Sequence, residues 1–64
     1  MTKEEKIKYI LDAYMDKNIN YRHDKDAYEN SLTIYYDYDV FDLDNEDTVD
    51  ELYEEAKQMM NGGE

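Results

Sequence analysis

The stretch Ser31–Asp44, SLTIYYDYDVFDLD, decides the fold of this chain, because it alternates with the period of a β-strand. Leu32, Ile34, Tyr36, Tyr38 and Val40 fall on one face. Ser31, Thr33, Tyr35, Asp37 and Asp39 fall on the other. β-Branched and aromatic residues suit a pleated, half-buried surface. The phase then slips by one: Phe41 and Leu43 become the apolar positions, and Asp42 and Asp44 the polar ones. Such a slip requires a bulge or a turn near Val40. With a bulge, Asp37, Asp39, Asp42 and Asp44 point outward from one long bent strand. With a turn, there are two short strands.

Helical patterns flank this stretch. A first helix is expected over about residues 3–16, with Thr2 and Glu5 at capping-box spacing and Ile7, Ile10, Leu11 and Tyr14 as its apolar stripe. A second is expected over about 48–60. Thr48 and Glu51 repeat the capping box; Val49, Leu52, Tyr53, Ala56, Met59 and Met60 form its apolar face. Asn61-Gly62-Gly63 supplies residues suited to a left-handed stop. Residues 18–22 alternate and read as a short partner strand, and residues 23–30 as a hairpin loop or short helical turn. The expected architecture is α+β: a single small domain over residues 1–64, α-β-β-α, with two helices packed on a small antiparallel sheet. Tyr9, Tyr14, Tyr36 and Tyr53 are expected as half-buried core residues with wet hydroxyls.

Composition bounds what such a domain can do. Sixty-four residues bury only about 60% of the surface of the unfolded chain, so the core is thin. There is no cysteine and a single histidine, His23, which excludes a disulfide framework, a thiolate nucleophile and a zinc site of the usual ligand set. The only glycines are Gly62 and Gly63, which leaves no phosphate-cradling loop. Neither a membrane span nor a leader-like apolar run is legible, and a cytoplasmic location is expected. No enzyme activity, catalytic residue, cofactor or metal site is expected.

The charge distribution points elsewhere. Eighteen acidic residues face seven Lys and Arg, a formal net charge of −11. Residues 1–28 hold equal numbers of acids and bases, and residues 29–64 hold twelve acids against Lys57 alone, so the whole net charge lies in the second half. Like charges within a Debye length of about 8 Å repel and oppose folding. Solubility alone does not need that asymmetry. Calcium is one use for clustered carboxylates, but no register satisfies an EF-hand loop. From Asp42, the sixth position is Asp47 and the twelfth Tyr53; from Asp44, the sixth is Val49. A weak cation binder is one alternative role. An acidic regulatory or antitoxin-like protein that binds a basic partner without imitating nucleic acid is another.

The main expectation is a recognition surface made by Tyr35, Asp37, Asp39, Asp42, Asp44, Glu46, Asp47, Asp50, Glu51, Glu54 and Glu55. In size, tyrosine content and carboxylate layout the chain resembles the small acidic DNA-mimic proteins of phages and mobile elements. That class shares no one fold or motif, so no residue role is carried over from it. The resemblance implies a non-enzymatic inhibitor, of the anti-CRISPR or anti-restriction type, acting in the host bacterial cytoplasm. Its partner would be a basic nucleic-acid-binding protein: a CRISPR effector, a restriction enzyme, or a repair or nucleoid protein. Direct nucleic-acid binding and membrane association are not expected.

Overall fold

The computed structural model describes residues 1–26 and 29–61. The element order is α1 (Lys3–Asp16), β1 (Tyr21–Lys25), β2 (Asn30–Ile34), β3 (Asp39–Asp42) and α2 (Glu46–Asn61). The fold is therefore the expected α+β class, and of the two readings of 31–44 the turn holds: that stretch supplies two short strands, so the described residues form three in the antiparallel order β1-β2-β3. The stretch 31–44 contains a turn, and the turn lies earlier than its phase slip suggested: residues 35–38 reverse the chain, and Ile34 pairs with Asp39. Tyr38 takes a left-handed backbone (φ 55°) to close it. Paired residues share a face. Tyr21 and His23 on β1, Leu32 and Ile34 on β2, and Asp39 and Phe41 on β3 are thus on the helix-facing side. Arg22, Asp24, Ser31, Thr33, Val40 and Asp42 are on the other.

This register explains why the strand breaks. The turn brings Leu43 beside Asn30, to whose carbonyl its N–H donates at 2.8 Å, and Leu43 becomes fully buried with Leu32. Continued as one strand, the stretch would carry Leu43 beyond two helices of 14 and 16 residues. Full burial of a side chain of this size stabilises by about 1.5–3 kcal/mol, more than a turn residue at positive φ costs, about 1–2 kcal/mol. The consequence corrects the sequence reading of the tyrosines. Tyr14 is buried, and Tyr9 and Tyr53 are half-buried and stacked edge to face at 5.2 Å, but Tyr36 is exposed. Tyr38 and Val40, expected on the core face, are exposed as well.

Two further boundaries move for identifiable reasons. The partner strand lies at Tyr21–Lys25, not 18–22, because Asn18 ends α1. Asn18 adopts φ 58°; its N–H donates to the Met15 carbonyl (3.2 Å), and the Ile19 N–H to the Tyr14 carbonyl (2.9 Å). This is a Schellman stop with Asn in the left-handed position. His23, Asp24, Lys25 and Asn30, read as loop, are strand residues; Ala27 and Tyr28, in the same reading, lie outside the described residues. α2 begins at Glu46, one half-turn earlier than expected, because Asn45 caps it in place of Thr48: Asn45 Oδ1 accepts from the N–H groups of Asp47 (2.9 Å) and Thr48 (3.3 Å). The stop expected at Gly62-Gly63 lies outside the described residues. α1 starts with the expected capping box, Thr2 and Glu5 bonded reciprocally.

The core joins both helices to β2 and Leu43: Ile7, Ile10, Ala13 and Tyr14 from α1 meet Val49, Leu52 and Ala56 from α2 over Leu32 and Ile34. α1 packs along α2, and α2 also reaches β3. Both helices pack on the Leu32 and Ile34 side, and among the described residues no helix covers the other side of the sheet. No helix among the described residues is long and apolar enough to cross a membrane.

Candidate functional site

The acidic side chains do not form one row. The turn separates Asp37, on its tip, from the strand acids, and Asp39 and Asp42, three residues apart on β3, lie on opposite faces of the sheet. Asp42 is also occupied structurally: its Oδ1 accepts from the Asp44 N–H at 2.9 Å, tightening the link into α2. Asp44 faces Lys3 Nζ at 3.7 Å. What the structure brings together is α2.

On α2, six acids fall between Glu46 and Glu55. The apolar stripe of Val49, Leu52 and Ala56 is buried, so helical periodicity distributes the acids over the rest of the circumference. The flank next to α1 is partly neutralised. Lys6 Nζ holds Asp50 at 2.6 Å and feels Glu46, and this partner raises the lysine pKa above its ordinary value. Lys57 pairs with Glu54 at 3.1 Å, with the same direction of shift. Both lysines also approach the Tyr53 ring, at 5.9 and 4.9 Å. The ion pairs are exposed and add little stability, about 0–1 kcal/mol each; their effect is on local charge.

Asp47, Glu51 and Glu55 lie one α-helical step of four residues apart, about 6 Å between origins. All three are exposed, and no ion pair neutralises them among the described residues. Glu55 shares a groove with the exposed ring of Tyr36. Burial, then Glu55 and Tyr36, push the neighbouring Tyr14 hydroxyl up to about 12. Tyr36 is thus an exposed aromatic residue next to the acidic helix, whereas alternation assigns it to the core. The legible signal is the phase slip beyond Val40, with Asp37 inside the residues that turn.

Tyr35 behaves differently. It stacks edge to face on Tyr38 at 6.4 Å. It also supports Arg22, whose guanidinium is held up mainly by Asp24 at 2.8 Å and then by the Tyr35 hydroxyl. Tyr35 therefore lies near the bare face of the sheet, away from α2. Among the described residues, no three His, Cys, Asp or Glu side chains converge in a geometry suited to a metal ion. No known protein family, curated protein or solved structure matches this chain.

Proposed function

We propose that this protein is a non-enzymatic inhibitor that presents nucleic-acid-like charge to the basic groove of a nucleic-acid-binding protein. The carrying observation is the linear charge density of α2. Six acids over nine residue steps, at about 1.5 Å each, give about one charge per 2.3 Å. With Asp50 and Glu54 discounted for their lysines, the figure is about one per 3.4 Å. Duplex DNA carries about one charge per 1.7 Å over both strands, or 3.4 Å per strand. A rigid helix already holding its carboxylates at phosphate-like intervals gives up little entropy on meeting a row of Lys and Arg. Tyr36 adds a flat ring beside Glu55 on which a partner arginine can stack. The anti-restriction or anti-CRISPR setting, and a bacterial host cytoplasm, belong to the same reading.

Competition tests it. Purified basic nucleic-acid-binding proteins (a restriction endonuclease, a CRISPR effector, a repair glycosylase and a nucleoid protein) are each loaded with fluorescent duplex, and this protein is titrated in. Release of duplex from at least one, lost in the triple variant Asp47→Asn/Glu51→Gln/Glu55→Gln with its helical content intact, is the expected result. Failure to displace duplex from any of them, or a ternary complex in which one binds both, defeats the proposal.

A further inference from the structure

The two edges of the sheet are chemically opposite. Tyr35 N–H donates to the Asn20 carbonyl (3.1 Å) and Asp26 N–H to the Glu29 carbonyl (2.9 Å), which fixes the phase of the β1–β2 ladder. Arg22 and Asp24 exchange bonds with β2, so Tyr21, His23 and Lys25 aim their N–H and C=O groups at the open edge. No other element caps those groups among the described residues.

We propose that β1 pairs antiparallel with β1 of a second copy, about a two-fold axis at His23, making a continuous six-stranded sheet. In that register the three outward-aimed residues are the bonded positions: Tyr21 opposite Lys25, His23 opposite His23, Lys25 opposite Tyr21. The intervening non-bonded pairs, whose side chains approach more closely, set Arg22 against Asp24 twice. Opposite charges therefore face each other at both close pairs, and Lys25 reaches the ring of the facing Tyr21. A two-fold axis normal to the sheet keeps both helix layers on one side. There an open groove of about 520 Å³, with Leu11, Met15 and Tyr21 in its lining, runs beside β1 and is shared across the axis. Met15, 65% exposed on the single chain, gains an apolar neighbour.

Global charge favours the same edge. β1 belongs to the half whose acids and bases balance, so two copies meeting there avoid the repulsion carried by residues 29–64. β3, with Asp39 and Asp42 in the strand and Asp37 and Asp44 beside it, sets acids near acids when two copies meet, a charge-guarded edge. The dimer leaves α2 free and does not depend on what α2 binds.

The test exploits the crossed geometry. Sedimentation of the wild type from micromolar to millimolar protein should show conversion from the 7.8 kDa chain to twice that mass. Arg22→Asp alone, or Asp24→Arg alone, opposes like charges twice across the axis and should weaken dimerisation on the order of tenfold. Mixing the two single variants sets a strand with acids at both positions against a strand with arginines at both. Opposite charges then face each other again at both close pairs, and a mixed dimer should be recovered. Mixing cannot repair the ion pair within a strand, so recovery reports contact between chains. Hydrogen exchange on the wild type needs no variant: the Tyr21, His23 and Lys25 amides should slow as concentration rises. A wild type that stays single at millimolar concentration overturns the proposal. So does a dimer indifferent to the charge swap, or amide exchange independent of concentration.

Discussion

The β1 side and the β3–α2 side share one core yet solve the problem of charge in opposite ways. On the β1 side Asp24 holds Arg22, and Lys25 and His23 continue the strand. On the β3–α2 side cations are borrowed. Lys3 and Lys6 reach over from α1 to Asp44 and Asp50, and only Lys57 is native to that half. The seam between the helices is thereby quietened and the outer surface left negative. The acidity is therefore placed, not diffuse: the fold neutralises acids where two elements must pack and leaves them alone where α2 faces solvent.

If the acidic side were an appendage, damage to its anchor would be mild. Leu43 is that anchor, fully buried at the junction of β3 and α2. Leu43→Ala is expected to cost about 2–5 kcal/mol, enough to unfold a domain this small, and to do so cooperatively. Loss of α2 helicity with the β1 side still folded, in a urea titration followed by circular dichroism and by tyrosine fluorescence, would split the molecule into two units. A smaller effect links the sides through Tyr14, whose hydroxyl is pushed up to about 12 by burial and by Glu55 and Tyr36. Its folded pKa lies above the unfolded value near 10. That contribution is complete below about pH 10 and fades as pH rises through 12, amounting to at most about 3 kcal/mol. Alkaline melting curves should fall over that window in the wild type and fall less in Tyr14→Phe.

Much of this contrast could be read from residues alone. Periodicity places both helices, and the count of charges by halves marks the acidic side before any coordinates. What escapes is where short-range chemistry overrides pattern. Asn18 and Asn45 act through single hydrogen-bonding geometries, a left-handed stop and a cap, which shift the start of β1 and the start of α2. The run from Leu32 to Val40 keeps perfect alternation through residues that turn, because a tyrosine-rich turn looks like a strand until the burial of Leu43 decides between them. Of the expected surface, the α2 acids stand together, and Asp37, Asp39 and Asp42 do not. The slip in strand periodicity marks a break near Val40 and an exchange of parity, but not that the break is a four-residue turn at residues 35–38.

The smallest effect is the most specific to placement. Glu51 and Glu55 are like charges one helical step of four apart, in the same row as Asp47. Glu51→Gln with Glu55→Gln removes that repulsion without touching the first-turn acids that favour the helix dipole. The gain should be about 0.2–0.5 kcal/mol per pair relieved, seen as a slightly higher Tm at low salt. On the β1 side the matched change, Asp24→Asn, breaks the Arg22 pair and should lower stability by a similar few tenths of a kcal/mol. Added salt should shrink both differences, since a Debye length of about 3 Å at 1 M screens exposed charges at these separations. Opposite signs at low salt that converge at high salt would mean that the two sides differ in electrostatic arrangement. Equal signs would mean that the acids of α2 are already compensated by groups elsewhere on the surface, and the contrast between the sides would lose its physical basis.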